Sequence, residues 1–220
     1  FCDLVVESIK VFTISRQEVE QRFTVINPEF MDRFFDKGQS VIIAGGHYNN
    51  WELLAVAIDG PVKHKVLALY KAFKNQWLDG KVKSSRGKYG LEMISTKIAK
   101  SAFQREDLHA IFGVDQSPSK SNNCYWGTFL NQDTPMIFGA EKYAKEYNYP
   151  VLYGCINKIK RGHYSWEFTE AIEEPIKTGY GEITQRIHSL LEQDIIAKPE
   201  FWLWSHKRWK HKRPAESTQQ

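Results

Sequence analysis

The run Val41-Ile42-Ile43-Ala44, closed by Gly45-Gly46, most constrains how this chain can fold. Four consecutive apolar residues cut off by two glycines read as a strand buried on both faces that ends in an abrupt turn. Such a strand needs neighbours beside it and covering layers above and below. The chain supplies them: apolar runs recur at Val66–Tyr70, Leu91–Ile94 and Leu108–Val114. Before and between them lie helical patterns at Glu29–Phe35, Trp51–Ala57, Gln76–Ser84 and Ile98–Arg105. This alternation predicts an α/β fold, a single domain with a mostly parallel central sheet and helices on both faces.

The flanking segments extend the pattern. Phe1–Phe12 carries a helical stripe, Phe23–Ile26 reads as a short strand, and Gly181–Ile196 as an amphipathic helix. Pro135 is expected to open a helix whose buried stripe uses Ile137, Phe138, Ala140, Tyr143 and Ala144. Val151–Ile156 and Tyr164–Phe168 are expected to pair as a hairpin, and Pro199 to start a last helical segment carrying Trp202 and Trp204. The polar loop Ser117–Asn123 reads as mobile. With 220 residues, 42% of them hydrophobic, one core is the expectation, in a domain over 1–214 with a disordered tail over 215–220.

His47 follows the glycines, and Asn49 or Asn50 can cap the helix that begins at Trp51. His47 therefore belongs to a loop at the carboxyl end of a strand, where open α/β sheets bind ligands. On one continuous helix His47 and Glu52 would point about 140° apart. With His47 in the loop and Glu52 in the first turn, the two can meet. A carboxylate on one imidazole nitrogen leaves the other as a general base, the His-acid half of a triad. No G-x-S-x-G elbow supplies a nucleophile, so the base would activate a hydroxyl of the substrate itself. The same residues also fit a capping box, Asn49 with Glu52, in which the acid only ties off the helix.

No H-E-x-x-H, P-loop or G-x-G-x-x-G occurs, so neither a metal nor a nucleotide cofactor is expected. Cys2, Cys124 and Cys155 form no disulfide or zinc spacing, and a reducing, cytoplasmic setting fits them. No apolar run reaches the roughly 20 residues of a membrane span. The tail cations Lys207, Arg208, Lys210, Lys212 and Arg213 outnumber the formal net charge of +4, leaving the rest of the chain slightly acidic. Interleaved with Trp202, Trp204 and Trp209, they suit an anionic membrane surface. A nucleic acid is the competing partner, disfavoured because the rest of the chain is not basic; simple packing of the tryptophans is the third reading.

His47, four residues and an acid, after a hydrophobic strand, resembles the first block of the glycerolipid and lysophospholipid acyltransferase superfamily. The nearer resemblance is to the lipid A biosynthesis acyltransferases. It is carried also by Asn75-Gln76-Trp77-Leu78-Asp79 leading into Ser84-Ser85-Arg86-Gly87, by Gly113-Val114-Asp115-Gln116, and by the segment Phe201–Lys210. The resemblance implies a glycerol-3-phosphate acyltransferase-like fold and transfer of a fatty acyl group from a thioester to a hydroxyl of a lipid A precursor. Acyl carrier protein is the implied donor, attracted by the positive tail; coenzyme A thioesters and a glycerolipid acceptor are the alternative, and a non-enzymatic membrane- or nucleic-acid-binding module is the remaining one. His47 would be the base, held by Glu52, and backbone N–H groups near Asn50 would stabilise the oxyanion.

The resemblance further implies that Arg86 with Gly87 positions the acceptor's phosphate, and that Asp115 and Gln116 contact substrate. By its residue type alone Arg86 could equally be an ion-pair partner, and Asp115 could orient the histidine, bind an acceptor hydroxyl or cap a turn. The family resemblance also implies an amino-terminal membrane anchor ahead of Phe1, which makes this chain a fragment, and places the enzyme on the cytoplasmic face of the inner membrane.

Overall fold

A computed structural model describes residues 2–103, 108–120 and 124–214. Its centre is a seven-stranded sheet in the order β1-β9-β8-β2-β5-β3-β4. The strands are β1 (Phe23–Val25), β2 (Val41–Gly45), β3 (Lys65–Tyr70), β4 (Glu92–Ser95), β5 (Leu108–Gly113), β8 (Val151–Lys160) and β9 (His163–Ile172). Every adjacent pair is parallel except the hairpin β8–β9. The expected α/β architecture is therefore present, with β2 near the middle.

Strand alternation sends the β2 side chains into two cores. Val41 and Ile43 pack with α1 (Cys2–Val11), α2 (Arg16–Arg22), α3 (Glu29–Phe35) and α4 (Trp51–Ala57). Ile42 and Ala44 pack on the other side with α6 (Ala99–Ala102), α7 (Gly139–Tyr147) and α8 (Glu182–Ala197). All four are at most 1% exposed, which is why the run carries no polar residue. The remaining helix, α5 (Gln76–Arg86), lies nearer the surface. The short helix α2 has weak periodicity but a full capping box: the Ser15 side chain accepts from the Glu18 N–H, and Glu18 reaches back to the Ser15 N–H.

Two expectations are corrected. Pro135 does not open a helix. It lies in β7 (Gln132–Met136), which pairs antiparallel with β6 (Tyr125–Phe129) as a separate two-stranded ribbon, and α7 starts only at Gly139. Leu130 and Asn131, at φ +50° and +58°, make the left-handed turn that joins the two strands. A two-stranded ribbon leaves alternate N–H groups facing outward, so a proline fits there without breaking a pair. The segment after Pro199 is also not a helix: one 3-10 turn (Pro199–Phe201) gives way to irregular chain that packs across the molecule. Within the polar loop, residues 121–123 lie outside the described residues, as do 104–107 in the expected helix over Ile98–Arg105 and the tail 215–220.

A buried carboxylate locks the helices of the second layer together. Glu141, 0% exposed on α7, accepts from the N–H groups of Gly181 (2.7 Å) and Thr184 (2.9 Å) and from the Thr184 hydroxyl (2.7 Å) at the start of α8. A negative charge at a helix amino terminus is favourable, and here it also satisfies donors that water cannot reach. Glu141→Ala leaves those donors unpaired in a dry site and is expected to cost about 3 kcal/mol or more. A urea midpoint unchanged from the wild type would rule out this role.

Candidate active site

β2 and β5 are parallel neighbours with Gly45 opposite Gly113. The Val114 N–H donates to the Gly45 carbonyl at 2.9 Å, carrying the ladder just past the strand ends. His47 and Asp115 each follow two residues after those glycines, and so emerge side by side. A Cβ on Gly113 would stand 3.1 Å from the His47 ring, so glycine is what lets the imidazole lie against β5.

Asp115, 3% exposed, grips His47 twice. Its Oδ1 is 2.7 Å from His47 Nδ1, and its Oδ2 accepts the His47 backbone N–H at 2.9 Å. The Trp202 indole N–H donates to the same Oδ2 at 2.9 Å. Burial pushes the Asp115 carboxyl up, yet the charge and hydrogen bond of His47 and the bond from Trp202 outweigh it and hold the pKa at about 2. The carboxylate is thus ionised at neutral pH, which makes Nδ1 the protonated nitrogen of the neutral ring and Nε2 the basic one. Gln116 Nε2 lies 3.3 Å from His47 Nε2, a long contact. Trp51 meets the imidazole edge to face at 5.1 Å.

Glu52, expected to hold His47, does not. Its carboxylate is taken up by Arg86 in a two-pronged pair, with Nε donating to Oε2 at 2.9 Å and Nη2 to Oε1. The capping-box alternative fails as well. The Asn50 side chain caps α4 by accepting the Leu53 N–H at 2.9 Å, while the Asn49 N–H donates to the Phe201 carbonyl at 2.9 Å. Asn50 is 1% exposed and its amide donates to the Glu7 carboxylate of α1. The N–H groups of Asn49 and Leu53, on either side of the helix start, are thus both occupied.

Beside His47 opens a cleft with a cavity volume of about 140 Å³. Every strand of the large sheet except β1 contributes to it. His47, Tyr70 and Arg86 bring polar groups to it, whereas Ile43, Leu54, Leu91, Met93, Ile111 and Ile156, with the rings of Trp51, Phe112 and Trp166, make the rest apolar. Gly154 admits the Trp166 indole, whose ring nitrogen would be 2.6 Å from a Cβ placed there. An extended hydrocarbon chain suits such a lining. Gly87 is the residue that ends α5 just after Arg86; its N–H donates to the Lys83 carbonyl, and it is not among the residues lining the cleft. Among the described residues no group of three or more His, Cys, Asp or Glu side chains has the arrangement to hold a metal.

The tail is largely part of the protein body, which corrects the membrane reading of Trp202, Arg208 and Trp209. Trp202 is buried on Asp115. Arg208, 1% exposed, donates to the Pro135 carbonyl at 2.8 Å, and burial pulls its pKa down to about 10. Trp209 donates to the Thr134 hydroxyl at 2.8 Å, and Arg213 pairs with Asp133. Lys207, Lys210, Lys212 and Trp204 remain exposed. The indole of Trp202 is the site residue that composition could not separate from its neighbours.

Burial alone would pull the His47 pKa down, but the Asp115 charge and hydrogen bond raise it above the ordinary 6.5. An imidazole acting as base must be neutral, so its activity falls as pH drops through this raised value. Asp115→Asn removes the raising charge. The acid limb of kcat/KM should then move to lower pH while the plateau drops roughly 10²–10⁴-fold; an unmoved limb would separate Asp115 from the base. No individually curated protein matches the chain. The family described as bacterial lipid A biosynthesis acyltransferase matches residues 1–211, and with nearly the whole length covered, the chain belongs to that family.

Proposed function

We propose that this acyltransferase moves a fatty acyl group from acyl carrier protein to the hydroxyl of a 3-hydroxyacyl chain on a lipid A precursor, at the cytoplasmic face of the inner membrane. The observation that carries the reading is the 2.7 Å contact of His47 Nδ1 with Asp115 beside an apolar cleft. His47 Nε2 takes the proton from the acceptor hydroxyl as its oxygen bonds to the thioester carbonyl carbon. The tetrahedral intermediate then collapses to the ester, the carbon–sulfur bond breaks, and the imidazolium returns the proton to the leaving thiolate. Asp115 stabilises the imidazolium between these steps, and the Gln116 amide, already beside Nε2, is placed to donate to the oxyanion.

Glu52 and Arg86 have a different task in this scheme. Glu52 fixes the guanidinium, and the donors that it leaves free can meet a phosphate of the acceptor. The pair therefore acts on acceptor binding, whereas Asp115 acts on the base.

His47→Ala should lower transfer roughly 10²–10⁴-fold, the usual contribution of a general base, with the fold intact. Transfer to a lipid A precursor is followed by mass spectrometry of the product, comparing acyl carrier protein and coenzyme A thioesters as donors. Wild-type rates in the purified His47→Ala protein would refute the assignment. Glu52→Gln is expected to raise KM for a phosphorylated acceptor about tenfold and to move the acid limb far less than Asp115→Asn does. The opposite pattern would return Glu52 to the histidine.

A further inference from the structure

The segment joining β3 to α5 connects two residues that line the cleft, Tyr70 and Arg86, and every residue from Lys71 to Leu78 is exposed. Three of these are large and apolar: Phe73 is 45% exposed, Trp77 71% and Leu78 39%. Four lysines, Lys71, Lys74, Lys81 and Lys83, surround them, and none is in an ion pair among the described residues. The one acid of the segment, Asp79, is turned inward. It accepts from the Phe73 N–H at 2.8 Å and the Tyr70 hydroxyl at 3.0 Å, so the loop is held in place instead of collapsing onto the apolar side chains. Lys81 Nζ stands 5.8 Å over the Trp77 ring.

Exposed aromatics within a collar of unpaired cations fit the boundary between anionic head groups and acyl chains. We propose that this β3–α5 surface, not the carboxyl-terminal tail, docks the enzyme on an anionic bilayer, with the cleft beside the lipid it takes up. The inference rests on the proposed lipid acceptor. The outer face of α1 and the turn after it are also apolar, at Val6, Ile9 and Phe12, but the cation there, Lys10, is paired with Glu18 at 3.0 Å. It therefore lacks the charge that selects the β3–α5 surface.

The test is co-sedimentation of the full chain with vesicles of phosphatidylglycerol and phosphatidylcholine, or of phosphatidylcholine alone, at low and high salt. Because each cation near an anionic surface contributes roughly fivefold, Lys71→Glu with Lys74→Glu should weaken binding to the anionic vesicles more than tenfold. Phe73→Ser with Trp77→Ser should weaken it similarly. Lys207→Glu, Lys210→Glu and Lys212→Glu together should change it less than threefold. Loop variants that bind like the wild type, a loss carried by the tail variant, or a loss of acyl carrier protein binding with vesicle binding intact would each overturn the proposal. Both loop variants should keep their transfer rate on detergent-dispersed acceptor and lose it on vesicle-embedded acceptor. If the wild type transfers in neither format the proposed reaction fails, while sedimentation still decides the docking surface.

Discussion

The in-register pairing of Gly45 with Gly113 fixes the position of everything at the candidate active site. Parallel strands of equal reach deliver His47 and Asp115 to the same level, and Gly113 leaves room for the ring to lie across the seam. A carboxylate removed from water is unfavourable unless its lone pairs are met. Asp115 meets this condition with three donors, the backbone and ring of His47 and the indole of Trp202. The resulting network orients the imidazole, fixes its tautomer and raises its basicity, so that one buried anion governs geometry and proton affinity together.

Around this anchor the molecule divides its polar work. The pair of Glu52 and Arg86 stands at the cleft beside His47 but is hydrogen-bonded apart from it. The two carboxylates thereby face different partners, Asp115 an imidazole and Glu52 a guanidinium. In a family that acts on lipid A, such a division suits an acceptor whose reacting hydroxyl and anionic groups lie on one molecule.

Much of the fold was legible because local signals agreed with the tertiary outcome. The run Val41–Ala44 is buried on both faces as its lack of polar residues implied, and α3 and α4 begin and end where their stripes do. The β6–β7 ribbon was not, since Pro135 is a common helix opener and only the left-handed pair Leu130-Asn131 betrays a turn. Short-range reasoning also joined His47 to Glu52, five residues on. The actual partner is 68 residues away, and Glu52 answers to Arg86, 34 residues distant. Asp115 as an orienting acid was among the options its position after a strand allowed. The burial of Trp202 and Arg208 was not readable, because a basic, aromatic tail has the same composition whether it covers a core or faces solvent.

Trp202 links the last part of the chain to the loop that carries His47. Until the segment beyond α8 has folded back, Asp115 lacks its indole donor and the Phe201 carbonyl cannot receive the Asn49 N–H. A partly synthesised or carboxyl-terminally clipped polypeptide would thus hold its imidazole loosely and in water. The carboxyl-terminal segment is in this way a structural part of the His47 loop, and damage to it would be felt at the imidazole.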